Sequence, residues 1–361
     1  MSNHQHSHEI LPLKKISILL FLSCFYIAAM SQEKKSNVHV GLIYPISSNG
    51  SKAGEYSNKF SLHLIAGLSR SETGVSLAGI SNIVKDSVHG FQMAGFSNHV
   101  QNTLRGAQFA GFMNYVKHDV HGFQAAGYLN ISGSSTGFQS AGFANFVKKN
   151  AGVQLSGFLN KAADVNTQVA GFINIAKKVK GVQAAGFINI ADSSDYPIGI
   201  INLVKNGEKA FALTTDETLT TLLSFRSGGR VMYGILGIGY NLNYTGQHLY
   251  ALEAGIGAHL KLSNQLRINT ELTSLVLDDF KKGDYLRTSL KILPSLKLSK
   301  AVEVFAGPTF NYINLTHDKA ASLTKHYLWS KTSNEHFYAL YFGATGGIQV
   351  NLSAFKHHTT L

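Results

Sequence analysis

The side chains that could do chemistry in this sequence are histidines and a small set of charged residues. Among the 16 histidines, His118 and His121 stand in "HDVH", a spacing that could bring two imidazoles to one metal ion, and His317, His326 and His336 share one polar stretch. Neither a G-x-S-x-G nucleophile turn nor an H-E-x-x-H zinc motif occurs. We therefore predict no catalytic residue, no metal site and no cofactor, and interpret these histidines as solvated turn and loop residues.

The charged residues fall in segments near the C-terminus where polar and apolar side chains alternate. Alternation places them together on one side of each strand, opposite an apolar side. Two interpretations stay open: the charges line a water-filled lumen, or they pair with one another inside a narrow, plugged barrel. The residues expected to face the lumen are Glu253, Arg267, Glu271, Arg287, Lys291 and Glu303.

The segments that position these charges are long. Examples are "LYALEAGIGAHLKL" and "FYALYFGATGGIQVNL", which exceed the usual length of a soluble strand. Tight turns at Ser263-Asn264 and Ser299-Lys300 alternate with polar loops at 279–284 and 316–336. Short turns at one end and long loops at the other are typical of transmembrane β-barrels. A soluble β-sandwich would alternate as well and is the alternative for this region.

The middle of the chain repeats one phrase, for example "KGVQAAGFINIA" at 180–191. Aligned on asparagine, the copies fall at Asn82, Asn98, Asn114, Asn130, Asn145, Asn160, Asn174, Asn189 and Asn202, with a glycine three residues before each. Repetition at a nearly fixed period indicates a repeat architecture. A glutamine stands six residues before asparagine at Gln92, Gln108, Gln124, Gln139, Gln154, Gln168 and Gln183.

Each phrase is predicted to be a strand, because two or three glycines in ten residues disfavour a helix. Alternation puts Phe123 and Leu129 on one side and Gln124 and Asn130 on the other. Charged residues cluster between phrases, and an uncharged core of nine to eleven residues would cover roughly 21 to 26 Å when tilted. That height suits an outer-membrane barrel. We expect the apolar side to meet lipid and the seven glutamines to line a lumen.

The predicted fold class is all-β, an antiparallel transmembrane barrel built partly from 15–16-residue repeats, with about 16 to 20 strands. The alternative is a β-solenoid with one repeat per coil, followed by a small C-terminal barrel. A solenoid explains why identical residues recur, because they form ladders when coils stack in parallel. It would also need a polar outer face, which the uncharged phrases do not provide.

The N-terminus is predicted to be a signal peptide over residues 1–31. Lys14 and Lys15 precede the apolar run "ISILLFLSCFYIAAM", with a membrane helix or a lipoprotein cysteine at Cys24 as alternatives. Cys24 is the sole cysteine, so the processed chain would have no disulfide. The further predicted divisions are N-terminal barrel strands at 32–73, the repeat array at 74–207, C-terminal barrel strands at 208–352 and a tail at 353–361.

The chain is basic, with a formal net charge of +12. An exported basic protein meets anionic headgroups, and no helix-turn-helix, zinc-finger or RNA-binding motif is present. The expected partners are outer-membrane lipid and lipopolysaccharide, with small polar solutes if the lumen is open, and no nucleic acid. The surface ligand, if there is one, is left open.

The phrases from "GFQMAGFSN" to "GVQAAGFINIADSSDYPIGIINLVKNG" resemble bacterial surface-repeat proteins with a G-x-Q-x-A-G-F-x-N motif, known in Gram-negative bacteria and spirochaetes. The similarity covers residues 74–207, and residues 231–352 resemble outer-membrane barrel strands in general. The resemblance implies an envelope location and surface exposure, and it supplies no catalytic residue. The expected role is a passive pore or a structural or surface protein. A surface-exposed solenoid for binding or adhesion, anchored by a barrel, is the main alternative, and an envelope enzyme is the third.

Overall fold

The chain folds into two β-structures, one following the other along the sequence. A computed structural model describes residues 33–242, 249–278, 285–316, 323–324, 326–333 and 336–354, so the proposed signal peptide at 1–31 lies outside the described residues. The described strands form one sheet assembly of 20 strands and one of 9 strands, and a 3-10 helix lies at Gly50–Glu55. The all-β prediction is confirmed.

The N-terminal assembly is a β-solenoid of about 10 coils. Its strands pair in parallel, apart from an antiparallel contact of β1 with β2. The strands are β1 Lys34–Ile43, β2 Ile46–Ser47, β3 Tyr56–Ser69, β4 Ser71–Ala78, β5 Ser81–Val84, β6 Val88–Ala94, β7 Ser97–Val100, β8 Leu104–Ala110, β9 Met113–Ala126, β10 Leu129–Ala141, β11 Ala144–Val147, β12 Ala151–Ser156, β13 Leu159–Lys161, β14 Asp164–Ala170, β15 Ile173–Ile175, β16 Lys178–Val179, β17 Val182–Ala185, β18 Ile188–Ala191, β19 Tyr196–Ile198 and β20 Ile201–Val204.

The C-terminal assembly is a closed antiparallel barrel of 8 strands. It closes because β21 pairs with both β22 and β29, while β28 adds to the edge of β29 without entering the ring. The strands are β21 Lys209–Asp216, β22 Thr220–Gly228, β23 Met232–Asn241, β24 Tyr250–Lys261, β25 Leu266–Asp278, β26 Tyr285–Lys297, β27 Val302–Thr316, β28 Trp329–Ser333 and β29 His336–Asn351.

The predicted use of the repeats as antiparallel barrel strands is wrong, and the solenoid alternative describes them. Gln124 pairs in register with Gln108 on one side and Gln139 on the other, and Asn130 pairs with Asn114 and Asn145. Residues 34–69, expected to be barrel strands, form the first coils instead. The barrel therefore has 8 strands and not the 16 to 20 expected when the repeats were counted in it.

The error has a local cause at the Gly-Phe step of each phrase. Each coil turns there, so the ten-residue phrase is divided between two strands on different faces of the solenoid and is not one strand across a membrane. In the copy with a Gly-Tyr step, the chain leaves β9 at Ala126, turns through Gly127 and Tyr128, and enters β10 at Leu129. Gln124 and Asn130 both face the interior, whereas Tyr128, which alternation alone would put on the same side, is exposed at the turn.

A column of glycines makes this turn possible. The carbonyl oxygen of Gly127 lies 2.0 Å from the position that a β-carbon on Gly142 would occupy, and the preceding copies repeat the contact. A methyl group cannot share that space with a backbone oxygen. The glycine before each aromatic residue is therefore required by the close approach of the coil beneath it.

Replacing Gly142 by alanine should destabilise the solenoid by about 1–3 kcal/mol, because the added methyl forces neighbouring coils apart. The check is a comparison of hydrogen-exchange protection in residues 129–175 between the variant and the parent chain. Gly346→Ala in the barrel is the matched control, since its nearest neighbour would lie at 3.4 Å. Unchanged protection in Gly142→Ala would contradict the packing described.

The two assemblies meet where the β22–β23 hairpin covers the last coil. Ser227 accepts through its hydroxyl from the Asn202 amide N–H at 2.9 Å, and through its carbonyl from the Asn202 side chain at 3.2 Å. The N–H groups of Val231 and Met232 each point to the Asp195 carbonyl at 3.3 Å. The hairpin thus supplies partners for backbone and side-chain groups that a further coil would otherwise satisfy.

Candidate functional site

The barrel interior is filled by paired charges. Glu271, fully buried on β25, accepts from the Tyr233 hydroxyl at 2.7 Å and lies 3.1 Å from an Arg226 guanidinium nitrogen. Arg226 also donates to the Gln349 side-chain oxygen at 3.1 Å and lies over the Phe305 ring, 4.5 Å from its centroid. Each charge in this group has a partner, as burial in a low-dielectric interior requires.

A second group lies at the short-turn end of the barrel. Arg267 donates from Nε to Glu303 at 2.8 Å and from Nη1 to Glu208 at 2.7 Å. Glu208 immediately precedes β21, so this ion pair also joins the end of the solenoid to the wall of the barrel. A cavity of about 300 Å³ adjoins it, lined in part by Arg230, His259 and Lys297.

The third group occupies the opposite half of the interior. Lys291 pairs with Glu253, and Arg287 pairs with Asp216. A cavity of about 10 Å³ lies among Asp216, Arg287, Lys291 and neighbouring threonines, which is close to the space needed by one water molecule. Among the described residues, the interior is plugged by side chains.

The six charged residues proposed from alternation all lie inside this barrel, and the plugged, mutually paired interpretation describes them. Sequence reasoning missed three of their partners, namely Glu208, Asp216 and Arg226. The missed signal was present, because "TTLLSFRSG" alternates and places Arg226 on the same side as Leu222 and Ser224.

The seven glutamines lie in the interior of the solenoid and not in the barrel. Six of them donate a side-chain N–H to the glutamine of the preceding coil, as Gln124 does to Gln108 at 2.9 Å and Gln139 to Gln124 at 2.8 Å, while Gln92, the first of the row, accepts from Gln108. All seven are fully buried: Gln92, Gln108, Gln124, Gln139, Gln154, Gln168 and Gln183. Their role is to satisfy one another along the solenoid axis.

The asparagines form a second ladder of opposite direction. Asn145 donates to Asn160 at 2.9 Å in the next coil and to the Leu155 carbonyl at 2.7 Å, while accepting from Asn130 at 2.9 Å. Valine, leucine and alanine fill the rest of the interior, as in the cluster of Val84, Val88, Val100, Leu104, Val116 and Val120. The amide side of each phrase is therefore inside, and its apolar side is outside.

The outward-facing positions of the strands are mainly apolar in both assemblies. On β26 the outward positions Leu286, Leu290, Ile292 and Leu296 are exposed, while Arg287 and Lys291 face inward. The span from Leu286 to Leu296 covers about 25 Å once strand tilt is included. On the solenoid, Met93, Leu155 and Val169 are 51, 42 and 38% exposed. Contact between water and an apolar surface of this extent is unfavourable.

One corner of the solenoid carries a continuous row of aromatic side chains. Neighbouring rings stack with centroids 4.8 to 5.2 Å apart and remain partly exposed. We call this row the aromatic ridge: Phe96, Phe112, Tyr128, Phe143, Phe158, Phe172 and Phe187.

The opposite corner carries the charge of the solenoid. It lies between the asparagine of one phrase and the glutamine of the next. We call it the lysine corner: Lys85, Lys117, Lys148, Lys149, Lys177, Lys178 and Lys205, all exposed. Residues 85–206 contain nine lysines, one arginine and five aspartates, a net charge of +5. Each coil is therefore apolar at one corner and cationic at the other.

A buried titratable group lies in the first coils. Glu72 accepts from the Ser61 hydroxyl at 2.8 Å and from the Asn58 amide at 3.3 Å, and its burial raises the pKa to about 7. The His63 ring packs edge-on against the His39 ring with their centroids 4.5 Å apart, and burial lowers the pKa of His63 to about 4. Both groups are therefore held in their neutral forms at mildly acidic pH.

These two groups should have opposite effects on stability between pH 4.5 and 6.5. A carboxyl whose folded pKa lies above its ordinary value of 4.5 loses stability as pH rises toward 7. A histidine whose folded pKa lies below 6.5 loses stability as pH falls toward 4, and burial shifts the pKa of His39 in the same direction. In the parent chain the pH-dependent contributions of Glu72 and of the two histidines to stability offset each other.

The variant Glu72→Gln removes the contribution of the carboxyl to the pH dependence of stability and keeps that of the histidines. We expect its first coils to lose stability as pH falls from 6.5 to 4, more steeply than those of the parent chain. Hydrogen exchange of residues 56–84, corrected for intrinsic exchange, measures this, with the barrel strands as internal reference. An equal pH response in both proteins would contradict the assignment.

Four of the five histidines considered as metal ligands lie among the described residues. His118 and His121 are exposed, and His121 contacts the Thr136 hydroxyl at 3.0 Å. His326 is exposed and His336 lies 3.3 Å from the Asn314 side-chain oxygen, while His317 falls outside the described residues. In the described ranges no group of three or more His, Cys, Asp or Glu residues is arranged to hold a metal ion.

Among the described residues, no helix has both the length and the apolar character needed to cross a bilayer.

Comparison with known proteins returned no match to a family model, to a curated protein or to a solved structure.

Proposed function

We propose that this chain is a non-enzymatic outer-membrane protein in which the barrel is a closed anchor and the solenoid is a rigid structural or binding element. The observation that supports this most strongly is the inverted polarity of the barrel. Apolar residues such as Leu290 face outward, and ion pairs such as Arg226–Glu271 face inward. This is the arrangement that a bilayer selects, since unpaired polar groups are costly in hydrocarbon.

The filled interior favours an anchor over a pore. Conducting barrels of the porin type have many more strands, and barrels of about 8 strands have interiors that side chains fill. Four acidic residues on the barrel strands are ion-paired inside the barrel, and the cavity among Asp216, Arg287 and Lys291 measures only about 10 Å³. We therefore place the passive-pore role second.

Planar bilayer recording tests this choice. We expect the folded chain to show no steady conductance, since the interior is closed by Lys291–Glu253 and its neighbours. Heat-modifiable gel migration and retention in membranes after a urea wash are the controls for correct insertion. Reproducible single-channel steps from protein that passes both controls would return the pore to first place.

The solenoid is proposed to lie on the periplasmic side. The tight turns at 262–265 and 298–301 share one end of the barrel with the solenoid, because the β22–β23 turn at that end packs on the last coil. Short turns of outer-membrane barrels face the periplasm and long loops face outward. The resemblance to surface-repeat proteins had implied an exposed solenoid, and this geometry favours the inner side.

Cysteine labelling in intact Gram-negative cells tests the orientation. In a Cys24→Ser background, Lys331→Cys on β28 should react with a membrane-impermeant maleimide in intact cells. Ser134→Cys at the lysine-corner side of the solenoid should react only after the outer membrane is permeabilised. The reverse pattern would place the solenoid outside and restore the surface-binding role.

A further inference from the structure

The outer surface of the solenoid has the distribution of polarity expected of a membrane-embedded wedge. The aromatic ridge forms one edge, and the sheet surfaces on both sides of it are apolar, with Met93 and Leu155 exposed on one and Ile83 and Leu203 on the other. Seven of the nine lysines in residues 85–206 belong to the lysine corner at the opposite edge, whereas Lys161 lies on the asparagine-bearing sheet surface between Phe146 and Ile175. An amphipathic body of this kind is stable where hydrocarbon meets anionic headgroups.

The extent of the ridge points to a lipid layer and not to a local pocket. The six steps from Phe96 to Phe187, at about 4.8 Å for each coil, extend about 29 Å along the solenoid. Over this length the same aromatic position is repeated without a charged substitution. A surface that is uniform along its length has no distinct anchors of the kind that specify a protein partner.

The junction with the barrel sets the direction of the wedge. Strand β23 runs from the hairpin turn near Val231 toward the exposed apolar residues Leu236 and Ile238. Asp195, beside the lysine corner, contacts the start of this strand through its carbonyl. The corner Gly199–Ile200, which continues the ridge in the last coil, instead lies against Gly234 further along the strand.

The ridge side of the last coil is therefore nearer to the apolar belt of the barrel than the lysine side is. The carbonyl oxygens of Gly199 and Ile200 lie 2.1 and 2.2 Å from the position of a β-carbon on Gly234, an outward-facing residue of the barrel wall. This contact makes the ridge continuous with the surface that faces lipid. The lysine corner is displaced toward the turns, where the polar headgroups would lie.

We propose that the solenoid lies in the periplasmic leaflet of the outer membrane, with the aromatic ridge among the acyl chains and the lysine corner among anionic phospholipid headgroups. This inference rests on the proposed function, since it requires the barrel to be inserted. It explains why a β-solenoid has amides inside and aromatic residues outside. The solenoid is then an interfacial membrane element and not a domain projecting into the periplasm.

The experiment measures the depth of nitroxide labels by spin-label accessibility to oxygen and to a water-soluble nickel chelate. The full chain, in a Cys24→Ser background, is reconstituted in phosphatidylethanolamine–phosphatidylglycerol vesicles. Single cysteines replace Phe96, Phe143 and Phe187 on the ridge, Asn150 at the lysine corner, and Leu272 on the barrel wall. Leu272 reports barrel insertion independently of the solenoid.

All three ridge labels should show lipid-like oxygen accessibility comparable to Leu272, while Asn150 remains accessible to the nickel chelate. If only Phe187 is lipid-accessible and Phe96 is in water, the solenoid projects away from the membrane and the proposal is wrong. Protection of the ridge from both reagents would show a protein partner or second copy there and would also overturn it. Failure at Leu272 would instead reject the proposed barrel anchor.

Two matched controls keep the result interpretable. If a ridge cysteine impairs folding, a label at Leu155 on the adjoining sheet surface replaces it and should give the same lipid-like accessibility. Replacing Lys148 and Lys149 by glutamate should move the Phe143 label toward water in these anionic vesicles, by at least a twofold rise in chelate accessibility. No change with charge reversal would remove the headgroup contact from the proposal.

Discussion

Asn145→Ala is expected to unfold the central coils of the solenoid locally. The substitution removes the donor to Leu155 and Asn160 and the acceptor for Asn130, all within a fully buried ladder. Each buried group left without a partner costs about 1–3 kcal/mol, so the loss should reach at least about 3 kcal/mol. Because coils contact only their neighbours, the effect should be greatest in residues 129–175.

Hydrogen exchange in detergent-solubilised full chain resolves this effect by coil. The matched control is Asn150→Ala, which makes the same chemical change at an exposed position of the same coil. We expect the control to exchange like the parent chain. Equal protection in Asn145→Ala and Asn150→Ala would show that the ladder contributes little, and that apolar packing alone holds the coils together.

Glu271→Ala is expected to destabilise the barrel by about 3–5 kcal/mol. The carboxylate is fully buried, and its removal leaves the Arg226 guanidinium without this carboxylate and the Tyr233 hydroxyl without this acceptor. Breaking one side of a buried pair costs this much because the remaining charge is uncompensated. The loss should be visible as a lower urea midpoint for the folded barrel in lipid vesicles.

Two further variants separate charge from packing. Thr270→Ala changes the adjacent outward-facing residue and should leave the midpoint unchanged. The double variant Arg226→Met with Glu271→Leu replaces the pair by apolar side chains and should recover most of the stability lost in Glu271→Ala. If Glu271→Ala unfolds at the parent midpoint, the ion pair does not stabilise the interior.

Sequence reasoning could identify the barrel strands because their information is local. In "YLRTSLKILPSLKL", alternation alone separates Arg287 and Lys291 from Leu286 and Leu290, and the structure keeps that separation. The tight turns at Ser263-Asn264 and Ser299-Lys300 could likewise be predicted from short segments of sequence. Strand pairing followed from these turns, since adjacent antiparallel strands need no long-range information.

The solenoid was harder because its pairing is not local. The phrase ending in Asn145 can in principle pair with its neighbour as a hairpin or stack on it in parallel, and alternation within one phrase does not distinguish the two. The rule that a solenoid needs a polar exterior favoured the wrong choice. Here the exterior is apolar and the amides of Gln139 and Asn145 are inside, a reversal that burial reveals and composition does not.

The two amide ladders have opposite directions, which has an electrostatic consequence for the length of the solenoid. Gln139 donates toward the N-terminus, to Gln124, whereas Asn145 donates toward the C-terminus, to Asn160. Polarisation accumulates along each chain of hydrogen bonds. Since the two chains run side by side and point opposite ways, their dipole moments subtract. A coil can therefore be gained or lost in related sequences without building up an axial field against the charged interior of the barrel.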